Sequence, residues 1–226
     1  MNKLFDLDSP FIRVLNRIAD LMILNILVLF LCIPVVTAGA AFTAMHFVLL
    51  KIVRDEEGYL VKGFFKSFKQ NFKQATLLWL LMLFLIALIV LDLMIIKFAG
   101  MDLPRIYTIL ILAIALILLI VAVYVFPVLA RFDNTIKNTL RNAFFISFLN
   151  LPKSILMLLL LFLPAVIMYF SSYSFIFMVL FGFSAPAYAS AYLYSGIFKK
   201  LEPEVQEPVS DYDFSITTDN GDEETK

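Results

Sequence analysis

Apolar residues in this chain do not alternate with polar ones; they run together in long blocks. The blocks are Ile18–Pro34, Ala38–Val53, Ala75–Ile96, Leu103–Leu129, Ser154–Phe170 and Phe175–Phe198. A helix needs about 17–25 apolar residues to cross a bilayer, so the pattern predicts an all-α, polytopic transmembrane bundle. The Ala38–Val53 block, at 16 residues, is short for a span and needs packing against neighbours. Residues 18–53 set the count at six spans or five. A single helix over that stretch would be about 54 Å long at about 1.5 Å per residue, against a hydrocarbon core of about 30 Å. Pro34 and Gly39 are natural breaks, and Val35–Thr37 reads as a tight turn between two helices.

Between the second and third blocks the pattern changes. In KGFFKSFKQNFKQA, residues 62–75, Lys62, Lys66, Lys69 and Lys73 recur at helical spacing, beside a stripe of Val61, Phe64, Phe65, Phe68 and Phe72. Such a helix suits the lipid–water interface, with rings in the acyl boundary and ammonium groups reaching for phosphate. Phe68–Ala75 matches Ile136–Ala143 at an offset of 68, with apolar, basic and alanine positions coinciding and Lys137 and Arg141 on the basic face. The bundle is therefore expected to carry two cytosolic interfacial amphipathic helices. Same-sense repeats of this kind imply a pseudo-two-fold axis along the membrane normal.

Composition sharpens the class. The chain is 62% hydrophobic and 16% charged, where a soluble domain is about half apolar and about a quarter charged. The net charge of zero conceals a division. Nine of the 18 acidic residues lie in the last 26 positions, and the body before residue 201 holds 17 Lys and Arg against nine Asp and Glu. This predicts one helical domain over 1–200, an acidic, disordered cytosolic tail over 201–226, and contact of the body with an anionic cytosolic leaflet. Six spans with both termini cytoplasmic put 15 basic residues inside and two outside, whereas five spans give 12 and five. The bias favours six and a multi-pass plasma-membrane location.

Candidate chemistry is sparse. Asn25, His46 and Asp92 are polar residues within spans; Asn25 and His46 would pack or hydrogen-bond between helices or form part of a solute site, and Asp92 would face the outer headgroups or, pointing inwards, serve as a cation or proton site. Arg13, Asn16, Arg17 and Asp20 share a helical face, with Arg17 and Asp20 spaced to pair. Asp55, Glu56 and Glu57 are placed to cap the following basic helix. Ser184, Ala187, Ala191 and Ser195 form a small-residue stripe for close helix contact. Tyr188 and Tyr192 share a neighbouring face, suited to packing or to stacking on a sugar ring. The lone Cys32 excludes an internal disulfide, and a lone histidine without acid or thiol companions is a poor metal site. There is no phosphate-binding loop, no H-E-x-x-H and no G-x-S-x-G. The chain is thus expected to be no enzyme, to hold no cofactor or metal, and not to bind nucleic acid.

Three runs carry a resemblance: Ile33–Ala40 (IPVVTAGA), Leu50–Tyr59 (LKIVRDEEGY) and Phe64–Ala75 (FFKSFKQNFKQA), with Asn16–Asp20 (NRIAD) before them. Together they resemble the YesL family of bacterial membrane proteins over nearly all of residues 9–200. The resemblance implies an association with carbohydrate uptake, because members tend to be encoded beside sugar-uptake and polysaccharide-degradation genes. It implies no mechanism and no site residues. The expected role is an accessory or regulator of a carbohydrate transporter, docked through the basic residues Lys62, Lys66, Lys69, Lys73, Lys137 and Arg141. The alternative is a small-solute (sugar) permease built on Asn25, His46 and Asp92.

Overall fold

A computed structural model describes residues 10–56, 58–98, 104–170 and 175–202. Eight α-helices follow in order: α1 (Pro10–Cys32), α2 (Ala38–Val53), α3 (Leu60–Phe98), α4 (Arg105–Arg131), α5 (Ile136–Leu149), α6 (Leu151–Phe170), α7 (Phe175–Phe181) and α8 (Ser184–Leu201). A single 3-10 turn, Val35–Thr37, joins α1 to α2. No strand occurs among the described residues. Five helices are long and apolar enough to cross a membrane, and the bent pair α7–α8 makes a sixth segment. The chain is a multi-pass helical bundle. Its large exposed apolar side chains, such as Phe84, Leu88 and Leu91 on α3, Leu112 on α4 and Leu159 on α6, suit hydrocarbon as solvent.

The α1–α2 hairpin forms where the breakers predict. Pro34 sits at the turn, and the Thr37 hydroxyl donates to the Leu31 and Pro34 carbonyls, closing the end of α1. α2 is the most buried element. Its small residues Gly39, Ala40, Ala41, Thr43 and Ala44 lie in the core and let α3 approach closely. A Cβ on Gly39 would stand 2.5 Å from the Ala75 carbonyl oxygen and 2.5 Å from the Trp79 Cβ. Only glycine permits that spacing.

The first basic segment is not a separate horizontal element. Leu60–Phe98 is one unbroken 39-residue helix, about 58 Å long at about 1.5 Å per residue. Nothing between Lys73 and Ala75 breaks a helix, so the charged turns continue into the apolar ones. Their aromatic stripe turns inward as well: Phe64 is fully buried, and Phe68 and Phe72 pack on the core. The second basic segment is a separate helix. Thr135 caps α5 by accepting from the Asn138 N–H at 3.4 Å, and Asn150 ends it before Pro152. Ala75 and Ala143, the paired alanines of the repeat, are both fully buried.

The hairpin stops short. Trp79 donates its indole N–H to the Val35 carbonyl at the hairpin tip, at 2.8 Å. α3 runs on from Trp79 to Phe98, about 28 Å further at about 1.5 Å per residue. The α7–α8 bend lies alongside the hairpin, with Phe183 bonded to Asn25 of α1 and packed on Phe42 of α2. Of the expected tail, Leu201 ends α8 and Glu202 is its C-cap; residues 203–226 lie outside the described residues.

Candidate functional site

The sixth apolar block is a broken helix, and Asn25 holds the break. α7 and α8 meet at a 47° bend around Gly182, where a Cβ would press on the Met178 carbonyl at 2.5 Å. The Asn25 amide donates to the carbonyls of Met178 (3.2 Å) and Val179 (2.7 Å). Its oxygen accepts the backbone N–H groups of Phe183 (2.8 Å) and Ser184 (3.0 Å). One side chain thus satisfies the orphaned Val179 carbonyl near the end of α7 and the orphaned N–H groups at the start of α8, and adds a second donor to the Met178 carbonyl, which also accepts from the Gly182 N–H at 2.9 Å. A broken helix at membrane depth requires such replacement partners. The sequence did carry a signal for the bend: Gly182 followed by Pro186, which is tolerated in a first turn but not in a helix interior.

Beside α2 lies a cavity of about 390 Å³. Phe42 and His46 come from α2, Met82 from α3, Phe126 from α4, Met157 from α6 and Ser190 from α8. Its walls are otherwise apolar. His46 Nδ1 is 3.1 Å from the Tyr194 hydroxyl, and the two rings pack edge to face at 5.8 Å. Ser190 donates to the Pro186 carbonyl at 2.8 Å. Asp92 lies on the bundle surface, six residues along α3 beyond Ile86, the last α3 residue of the cavity wall. The three intramembrane candidates therefore do not converge. Asn25 braces the bend from outside, His46 lines the cavity and Asp92 joins neither.

At the opposite end, a groove of about 1240 Å³ opens between the lysine face of α3 and the α4–α5 connection. Lys66, Lys69, Lys73 and Arg131 line it, with Asp133 as the one acidic member. Lys62, Lys66, Lys69 and Lys73 are exposed, and none makes an ion pair with a described residue. Lys137 and Arg141 are exposed on α5 but lie outside the groove wall.

Beside the groove sits a cluster that the sequence reading did not include. Glu202 bonds Arg54 at 2.8 and 2.9 Å and Arg131 at 2.8 and 3.0 Å. Arg54 is nearly buried, its side chain 6% exposed. Burial alone would raise the Glu202 carboxyl; the hydrogen bonds from Arg131 and Arg54, and their charges, outweigh it and hold the group at about 2. Both arginines directly follow an apolar block, and Glu202 is the first acid after the last block, which was the available signal. Two local expectations are corrected here. Arg17 pairs with Asp55 across the open end of the hairpin at 2.6 Å rather than with Asp20 in its own helix. Asp55, at φ 54°, and Glu56, 4.0 Å from Arg54, face arginines instead of capping α3; Glu57 lies outside the described residues. The small stripe Ser184, Ala187, Ala191 and Ser195 is buried as its spacing predicts. Tyr188 and Tyr192 bond each other at 2.7 Å.

No metal-holding group of three or more His, Cys, Asp or Glu occurs among the described residues. No curated protein matches the chain, and no solved structure matches it. A family model described as "Protein of unknown function, DUF624" matches residues 21–93, the stretch holding Asn25, the turn between α1 and α2, His46, the α3 lysines and Asp92.

Proposed function

We propose that this protein is a non-catalytic accessory or regulator of a carbohydrate uptake system, embedded in the plasma membrane with both termini cytoplasmic. The observation that carries the reading is the distribution of polar groups. Asn25 is consumed by the α7–α8 bend, His46 has one nitrogen committed to Tyr194, and the central cavity is walled by Phe, Met, Leu and Pro. A sugar, with a hydroxyl on nearly every carbon, would find its donors unpaired there, at about 1–3 kcal/mol each. The unsatisfied polar surface is instead the basic groove, where three unpaired lysines and Arg131 face a single aspartate. Such a surface attracts an acidic segment of a partner, or anionic headgroups. The resemblance to the YesL family supplies the link to carbohydrate uptake, and it rests on the hairpin and lysine runs.

The test is sugar uptake in cells lacking the protein, complemented by wild type or by a variant with Lys62, Lys66, Lys69 and Lys73 all changed to Glu. The reading expects uptake to fall several-fold on deletion, at unchanged transporter abundance, and only wild type to restore it. Sugar flux through the purified protein alone in liposomes would favour the permease instead.

A further inference from the structure

The cavity beside α2 is hydrophobic enough to exclude a sugar, yet it is not featureless. Its volume of about 390 Å³ falls within the range of about 300–1,000 Å³ for small-molecule sites. Four methionines, Met45, Met82, Met157 and Met178, line it, and their unbranched thioethers adapt to ligands of differing shape. Two of its wall residues, Ile86 and Leu161, are also 44% and 51% exposed on the bundle surface. The cavity wall therefore adjoins the apolar belt that faces lipid.

Apart from the Trp79 indole, whose N–H is spent on the Val35 carbonyl, its polar side chains are His46 and Ser190. His46 Nδ1 is engaged by the Tyr194 hydroxyl, while Nε2 has no hydrogen-bond partner among the described residues. Ser190 spends its proton on Pro186 and keeps its lone pairs. No charged side chain lines the cavity, so an ionised head would be buried without a counter-ion, at a cost of several kcal/mol or more. A hydroxyl fits: it accepts from Nε2–H or donates to a bare Nε2, whichever tautomer Tyr194 selects, and it can donate to the Ser190 oxygen.

We propose that this cavity is a binding site for a lipid-borne hydrocarbon chain ending in an uncharged hydroxyl, with the chain among the methionine and phenylalanine walls and the head on His46 Nε2. The site is separate from the basic groove, so it stands or falls independently of the docking role.

A diazirine-bearing dodecanol, photolysed on the full-length protein in nanodiscs and mapped by mass spectrometry, tests it. Adducts are expected on cavity residues such as Met82 and Met157, with 1-dodecanol competing about fivefold better than dodecane, the worth of about 1 kcal/mol for one hydrogen bond. His46→Leu should retain labelling but lose that preference. Ala122→Phe, which fills the cavity from α4, should abolish cavity adducts while leaving those on outward residues such as Leu88, so a folded protein with an empty site is recognisable. Adducts spread evenly over the lipid-facing surface, or equal competition by dodecane and dodecanol in wild type, would overturn the proposal.

Discussion

The side-chain oxygen of Asn25 accepts the backbone N–H of Ser184 at 3.0 Å, across 159 residues of chain. With its three companion bonds, this contact ties the first helix to a break in the last. An asparagine in the middle of an apolar helix acquires a definite purpose: it supplies the backbone groups that a bent helix cannot supply to itself.

Replacing Asn25 with Leu should destabilise the bundle by at least about 2 kcal/mol, because the Val179 carbonyl and two N–H groups lose partners together, while Met178 keeps only its bond from the Gly182 N–H. Asn25→Asp separates the two halves of the role. The carboxylate keeps the bonds to Phe183 and Ser184 but meets the Met178 and Val179 carbonyls without a donor. Thermal unfolding in detergent should rank wild type above both variants. Equal melting temperatures for wild type and Asn25→Leu would remove the brace.

Gly39→Ala is the corresponding test of the hairpin. The added methyl meets the Ala75 carbonyl and the Trp79 Cβ at 2.5 Å, and neither is the far end of a flexible side chain. Overpacking of this kind costs about 1–3 kcal/mol. The Trp79 to Val35 bond should loosen with it, which the emission of Trp79, the only tryptophan in the chain, reports directly. An unchanged spectrum and stability would contradict the packing.

These two sites differ in how far the sequence discloses them. The hairpin is legible because Pro34, Gly39 and the small residues after it act locally, and Ala38–Val53 forms as a helix over the predicted range. The continuity of α3 was obscured by amphipathic composition: Lys and Phe at helical spacing describe a helix but not its angle to the next one. In the structure the segment continues straight into the apolar turns, and Phe64 shares a buried core with Val48 and Leu49 of α2. The partners of Asn25 and Glu202 lie more than 70 residues away, beyond any periodicity argument. The cavity is less legible still, since its wall is assembled from α2, α3, α4, α6, α7 and α8.

Glu202→Gln should lower stability by about 1.5–3 kcal/mol, the value of hydrogen bonds to charged groups, with Arg54 left nearly buried beside a weaker acceptor. The pH dependence follows from the sign of the shift. A carboxyl held at about 2, below its ordinary 4.5, stabilises fully above pH 4.5 and loses that contribution as pH falls from 4.5 towards 2. The difference between wild type and variant should be constant from pH 5 to 8, within that upper range, and shrink below pH 4.5. A gap that closed near neutrality would contradict the clamp.

The Arg17–Asp55 pair is shorter, at 2.6 Å, yet its side chains are 37% and 85% exposed. Solvent screening limits such pairs to about 0–1 kcal/mol. Asp55→Asn should shift unfolding far less than Glu202→Gln and should lose its effect in high salt. A larger loss than at Glu202 would mean the hairpin mouth is more enclosed than its exposure indicates.

The docking role meets its most direct test in a photo-crosslinking amino acid placed at Lys69 in intact cells growing on a polysaccharide. The account predicts an adduct containing a component of a carbohydrate transporter, absent when the same group stands at Leu88 on the lipid face. Adducts with phospholipid alone from position 69 would contradict it.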